Sequence, residues 1–266
     1  MFWIYSQTSF RATNLIRPQI LVIFLLLGCL VTWPTLSGKA ISWSSSSSEM
    51  DFGRLRREMV SRTIAARGVK DTRVLDAMSA VRREEFVHPE DKRYAYDDNP
   101  LSIGAGQTIS QPYIVALMVE AMRIKPTDKV LDIGTGCGYA AAVMAHLARE
   151  VHSIERIESL ALSAKERLKH LGYHNITVHV GDGTVGLPSH APFDAIAVAA
   201  GSPSIPESLV KQLAEGGRIV IPLENDLGHQ DLVVGVRHGD DLKISDLGGV
   251  RFVPLIGEEG HRHGPA

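Results

Sequence analysis

Between Lys129 and Leu223 the chain alternates two kinds of pattern. Short runs of consecutive apolar residues give way to stretches in which apolar positions recur every three or four residues. "KVLDI", "EVHSIE", "ITVHVG", "FDAIAVAA" and "RIVIPL" are of the first kind and read as buried strands. "YAAAVMAHLA", "IESLALSAKERLKHLG" and "PESLVKQL" are of the second kind and read as helices. Gly172 stops the middle helix; Pro206 opens the last one, and Gly216 and Gly217 are expected to close it. Strands alternating with helices predict right-handed βαβ units and a doubly wound, mostly parallel sheet of the α/β class. Downstream, "DLVVGVR", "LKISDL" and "VRFVPL" are strand-like but joined by links too short for a crossover helix, so antiparallel edge strands are expected. Upstream, Leu55, Met59, Ile64, Val74, Leu75, Met78 and Val81 recur at helical spacing, broken near Gly68. A loop containing Tyr94, Tyr96 and Pro100 follows. A helix is then expected from Gln111 to Met122, with Ser110 as its N-cap and Pro112 just inside.

The first fifty residues break this pattern. Arg11 and Arg17 precede the apolar run "ILVIFLLLGCLV", Ile20 to Val31, and small polar residues and the serine run Ser44 to Ser48 come after it. The apolar run is shorter than the roughly 20 residues of a membrane span, and the order of features is that of a secretory signal. "LLGC" before Cys29 loosely resembles a lipoprotein attachment site. An anchor, or a start codon set too far upstream, is the competing reading. Membrane contact, if made, runs through residues 18–33. The serine run reads as a linker, so the chain divides into a signal- or anchor-like segment, 1–50, and a folded domain, 51–266.

Composition narrows the partners. The formal net charge of −2 over 266 residues, with no long run of one sign, offers no electrostatic footprint for nucleic acid. The two cysteines, Cys29 and Cys137, supply neither a disulfide framework nor zinc spacing. His170 and His174 lie four apart but flank Gly172 and are read as surface residues, and the C-terminal "HRH" is read as too isolated to form a site. Cys137 has no adjacent base and reads as a packing residue.

The chemistry concentrates at "VLDIGTGCGYAAAVMAHLA". Gly134 and Gly136 let a ligand approach the main chain, and Gly138 is expected to lie close to the neighbouring strand. A dinucleotide turn reads G-x-G-x-x-G and aims a helix N-terminus at a pyrophosphate. G-T-G-C-G is one residue tighter, and Asp132 precedes it at the strand end, where a carboxylate repels pyrophosphate and suits a cationic ligand. S-adenosylmethionine, with an ammonium, a sulfonium and no phosphate, fits. Glu155 ends the next strand, where an acid accepts hydrogen bonds from ribose hydroxyls. Asp182, in "VGDG", ends the third, where it can receive an adenine amino group. Taken singly, these are also an ordinary helix cap, a surface acid and a turn former.

Five blocks then resemble, in order, one family, protein-L-isoaspartate O-methyltransferase: "GQTISQPYIVALM", "VLDIGTGCGYAAAVMA", "GDGTVGLPSHAPFDAIAVAA", "IPESLVKQLAEGGRIVIPL" and "VRFVPLIG". The resemblance covers residues 54–257. It implies a seven-strand, Rossmann-like methyltransferase sheet with an added N-terminal helical region. The implied activity is methyl transfer from S-adenosylmethionine to the free α-carboxylate of L-isoaspartyl, and for some members D-aspartyl, residues in damaged proteins. Ser110 matches the position treated as the active-site serine. Gln107, Thr108, Ile109, Asp132, Gly134, Thr135, Gly136, Glu155, Asp182 and Gly183 fall on donor-binding positions. Thr135 stands where serine is frequent, and "AAG" at 199–201 replaces "TAA"-like text. A monomer is expected. Residues 1–50 have no counterpart in the usual cytosolic members, and because the donor is made in the cytosol, a cytoplasmic enzyme is expected over an exported one. The alternatives are a methyltransferase for another carboxylate or small molecule, a non-catalytic tethered peptide-binding module and, least favoured by the turn, an NAD-dependent oxidoreductase.

Overall fold

The computed structural model describes residues 50–262. Asp51 caps helix α1 (Phe52–Glu58) by accepting from the Arg54 amide, and the segment runs on through tighter and looser turns to Gly68, whose φ of 106° ends it. Helix α2 (Thr72–Ala80) starts at a second acid cap, Asp71. Ile64, Val74, Met78 and Val81 are buried, so the apolar spacing identified the inward face.

The expected loop before Ser110 contains a hairpin: β1 (Leu101–Gly104) pairs antiparallel with β2 (Gln107–Ile109). Its two loop residues, Ala105 and Gly106, both lie at positive φ, 51° and 69°. That is the type I′ requirement, normally met by Asn-Gly, and an alanine there hides the hairpin from sequence. Helix α3 (Pro112–Met122) also begins one residue later than expected: Gln111, not Ser110, holds the N-cap position, and no side chain caps it.

From there the elements are β3 (Lys129–Ile133), α4 (Tyr139–Ala145), β4 (Glu150–Glu155), α5 (Glu158–His170), β5 (Ile176–Val180), β6 (Phe193–Val198), α6 (Glu207–Gln212), β7 (Leu213–Glu224), β8 (Gln230–His238) and β9 (Asp241–Val250). They form a seven-stranded sheet in the order β5-β4-β3-β6-β7-β8-β9. The first five in that order are parallel; β8 and β9 add antiparallel. Strand order reverses at β3, the crevice in which doubly wound sheets bind ligands.

Two expectations about the later elements need correction. Helix α6 ends at Gln212 rather than at Gly216, because Leu213 pairs with Phe193 and draws the chain into β7; Gly216 and Gly217 sit in the irregular start of that strand. "VRFVPL" does not form a strand of its own: its Val250 ends β9. After β9 the chain makes only bridges, with the Gly201 amide donating to Val253 O (2.8 Å) and the Leu255 amide to Gly201 O (2.7 Å). Pro254 lacks the amide a continuous ladder needs.

The sheet separates two cores. Val130 and Val151 face the side carrying α2, α3 and α4, whereas Leu131, Ile133, Ile154, Phe193 and Ile196 face the side carrying α6. That second side is thinly covered near β5, because β5 and β6 are joined by short 3-10 turns, Gly183–Val185 and Pro188–His190, in place of a helix. No helix among the described residues is long and apolar enough to cross a membrane; the apolar run 20–31 lies outside them.

Candidate active site

The turn after β3 hooks over the end of β4. The Gly134 and Thr135 amides both donate to Ile154 O, at 2.9 and 3.3 Å. Gly134, Gly136 and Gly138 have φ of 92°, 52° and 91°, a region closed to most side chains. Gly138 packs against α5, not the neighbouring strand: a Cβ there would lie 3.1 Å from the Leu168 Cδ1 methyl. The Gly136 amide donates to Glu155 Oε2 (3.0 Å) and the Ile157 amide to Glu155 Oε1 (2.9 Å). A pyrophosphate would need such an amide; here it is committed to a carboxylate. Glu155 has lone pairs left to accept hydroxyl hydrogens from a ligand. The donor set therefore suits a hydroxyl-bearing, phosphate-free ligand.

Asp132 is placed differently from its neighbours. It is 1% exposed and lies beneath the turn, outside the cleft lining. Ser153 donates to Asp132 Oδ2 (2.7 Å), and the Thr135 and Ser153 hydroxyls are 2.6 Å apart. Since the serine hydrogen goes to the acid, Thr135 donates to Ser153. Asp132 Oδ1 has no partner. Burial pushes the Asp132 carboxyl up to about 6, with Ser153 opposing and the nearby Glu155 charge adding to the rise.

The cleft above the turn has a volume of about 1220 Å³. That is more than a small ligand fills, typically about 300–1,000 Å³. Gln107, Thr108, Ile109, Ser110, Gly134, Thr135, Gly136, Glu155 and Gly183 line it, as does Cys137. Gly183 must be glycine, since a Cβ would fall 2.5 Å from Ile133 Cγ2. Cys137 is 6% exposed, and burial pushes its thiol up, as befits a packing residue.

Asp182 does not line the cleft. Its Oδ1 accepts from the Thr184 amide and hydroxyl, and its Oδ2 from the Glu258 amide (2.7 Å). The C-terminal segment occupies the carboxylate expected to receive adenine, a crossing that the local "VGDG" pattern could not foretell. Glu259 extends the clasp, taking the Ser208 amide and hydroxyl on its carboxylate. His261, expected to be isolated, is 3.0 Å from Glu224 and belongs to the same clasp.

Also on the cleft wall, the Ser110 hydroxyl has no hydrogen-bond partner among the described residues, whereas its neighbours are tied down. Asp98 accepts from Gln111 Nε2 (2.5 Å), the Tyr113 amide (3.1 Å) and Arg67 (2.6 Å). The Arg67 guanidinium lies 3.5 Å from the Tyr113 ring centroid. The helix start therefore offers few free amides beside Ser110: Pro112 has none and Tyr113 gives its own to Asp98. Asp98 and Arg67 were not singled out in the sequence, for they carry no motif. Gln230 clips the roof through Phe252, donating to its carbonyl (3.2 Å) and accepting its amide (2.6 Å).

Comparison with known proteins agrees with this geometry. A family model described as protein-L-isoaspartate(D-aspartate) O-methyltransferase (PCMT) matches residues 54–260. Protein-L-isoaspartate O-methyltransferase 2 of Pelobacter propionicus is 52% identical over 207 residues, 77% of this chain and 92% of the relative. The enzyme of the same name from Marinobacter nauticus is 54% identical over 212 residues, 79% and 96% of the two chains. A solved protein-L-isoaspartate O-methyltransferase superposes with a TM-score of 0.70 at 32% identity, over 77% of this chain and 67% of that one. A beta-aspartate methyltransferase from Plasmodium falciparum, in complex with S-adenosyl-L-homocysteine, gives 0.66 at 27% identity, over 76% and 98%.

Proposed function

This chain belongs to the protein-L-isoaspartate(D-aspartate) O-methyltransferase family, and we propose that its cleft is divided between a donor end on Gly134, Thr135, Gly136 and Glu155 and an acceptor end centred on Ser110. The activity is S-adenosylmethionine-dependent methylation of isoaspartyl residues in proteins, the first step of their repair. The donor supplies a methyl group on a sulfonium and departs as a neutral thioether.

The acceptor, an α-carboxyl freed when the aspartyl side chain takes over the peptide bond, titrates near 3.5 and is ionised at neutral pH. It needs no general base, and a neutral leaving group needs no acid. What remains for the protein is positioning and exclusion of water. Orientation alone is worth on the order of 7–11 kcal/mol in favourable cases. Glu155 accepts the ribose hydroxyls, the positive-φ glycines admit the ligand close to the main chain, and Asp132 places a buried charge beneath the cationic end. Ser110 donates to the acceptor carboxylate and holds it in line. The observation that carries this reading is the Ser110 hydroxyl, without a hydrogen-bond partner among the described residues, in the same cleft as Glu155. Ser110→Ala should lower turnover on an isoaspartyl peptide at least about tenfold, with circular dichroism unchanged; undiminished turnover removes Ser110 from the mechanism. An aspartyl twin of the peptide should not be methylated, and equal methylation of both would favour a general carboxylate methyltransferase.

The working domain begins near Asp51, acts as a monomer and acts in the cytoplasm, where the donor is made. Cell fractionation with sequencing of the mature N-terminus tests the location; recovery of active protein outside the cytoplasm overturns it.

A further inference from the structure

The face of β4 and β5 on the α6 side carries, outside the cleft lining, a cluster that methyl transfer does not use. His152 on β4, His179 on β5 and His190 in the β5–β6 connection each present a ring nitrogen, and these nitrogens all lie within 4.8 Å of one another. His152 Nδ1 and His179 Nε2 are 3.1 Å apart, and the three ring centroids are separated by 5.4, 4.4 and 5.2 Å. In the parallel register Ile154 pairs with His179 and His152 with Thr177, which sets the two strand histidines on the same face of adjacent strands.

We propose that His152, His179 and His190 bind one divalent transition-metal cation of the zinc class, in a site separate from the donor cleft. Four observations support it. First, one pair is already at the spacing the ion needs: tetrahedral zinc with Zn–N bonds of about 2.0–2.1 Å holds its nitrogens roughly 3.3 Å apart, close to the 3.1 Å between His152 and His179, and His190, within 4.8 Å of both, closes the set by a small side-chain rotation. Second, the donor set is all imidazole, which suits zinc, nickel or copper and rejects magnesium and calcium, whose sites are built from oxygen.

Third, the nitrogens are otherwise unspent. The only hydrogen bond to any of these ring nitrogens among the described residues is the one that His152 and His179 share. Aromatic packing against Phe193, 6.0 Å from His152, would be served equally by rings without nitrogen. Fourth, the scaffold is held. Two ligands stand on paired strands, and the turn bearing the third is fixed by Lys129 Nζ donating to His190 O (2.6 Å). Such outer contacts orient ligands in metal sites. His179 and His190 are half-buried, so the fourth coordination position faces solvent and takes water or a small anion.

The bound cation would tie β4, β5 and the β5–β6 connection together. None of the three histidines lines the cleft, although β4 and the β5–β6 connection also supply Glu155 and Gly183 to it, so the site acts on stability rather than on the chemical step.

The test uses untagged full-length protein freed of metal with a chelator. Zinc alone is titrated in competition with a chromogenic chelator, and cobalt alone is followed by its tetrahedral visible bands. The wild type should take up one equivalent and melt at a higher temperature with zinc than without. His190→Phe keeps an aromatic ring in the stack but removes both nitrogens, and His179→Ala removes a half-buried ligand. Each should weaken zinc binding at least about 100-fold, abolish the tetrahedral cobalt spectrum and leave metal-free methylation intact. His261→Ala, on the C-terminal clasp and remote from the three rings, should leave zinc affinity and the cobalt spectrum unchanged. Failure of the wild type to bind at micromolar zinc overturns the proposal. So does binding that survives both His190→Phe and His179→Ala, or that disappears with His261→Ala.

Discussion

Strand β4 serves two faces with opposite chemistry. On one, Ser153 and Glu155 belong to a set of acids and hydroxyls whose hydrogen bonds are nearly all made, through Thr135, Asp132 and the Gly136 and Ile157 amides. On the other, His152 joins two more imidazoles whose nitrogens have almost no partners among the described residues. Because side chains alternate across a strand, a shift of one residue passes from one system to the other. The difference teaches where each gets its definition. The acid face is completed by the protein's own backbone and then offers what is left to a ligand. The histidine face is complete only with something added.

The sharpest way to break this contrast is Glu155→Ala. If the carboxylate accepts two ribose hydroxyls, losing two charge-assisted bonds costs about 4 kcal/mol, roughly a thousandfold in affinity for S-adenosylhomocysteine by titration calorimetry. An affinity within tenfold of wild type would show that the acid face is structural, not ligand-binding.

Asp132→Asn comes next and tests the buried charge. The folded carboxyl sits at about 6 against an ordinary 3.8, so the fold favours its protonated form. That contribution to stability is complete below about pH 3.8 and is lost as pH rises through about 6. At neutral pH the ionised wild type therefore carries a penalty of about 3 kcal/mol. Asparagine mimics the neutral acid and can still accept from Ser153. Its melting temperature should exceed the wild type's near pH 8, converge with it below about pH 4, and be accompanied by weaker donor binding. A pH-independent gap would contradict the assignment.

Ser110→Ala, at tenfold or about 1.4 kcal/mol, is smaller because it removes one orienting contact. Asp182→Asn is smallest. It loosens the clasp on Glu258 and should lower stability by about 1 kcal/mol while leaving donor affinity within about twofold. A large loss of affinity would restore the adenine-binding role expected from sequence.

The contrast also explains what could be read in advance. The parallel strands, the glycine turn and Glu155 were legible because each depends on neighbours in the chain: a run of apolar residues, a set of positive-φ glycines, an acid at a strand end. Ala105 at φ 51° concealed a hairpin, since nothing in alanine announces a left-handed turn. Ser110 looked like a cap because it precedes Pro112, yet the helix starts one residue later and leaves the hydroxyl unspent. The clasp at Asp182 and the bridging of "VRFVPL" were not legible because their partners, Glu258 and Gly201, lie far away in sequence. The histidine cluster gave no signal at all. Its members come from two strands and a turn, while the pair at metal-like spacing, His170 and His174, is exposed on either side of Gly172.

The clasp has a consequence for how the protein comes into being. A ribosome releases the glycine turn long before residues 247–261, which supply the roof and fasten it to Asp182 and Glu224. Such long-range closures form late. A nascent chain can assemble the parallel half of its sheet and still lack a finished cleft, so methyl transfer stays silent until synthesis has passed the clasp.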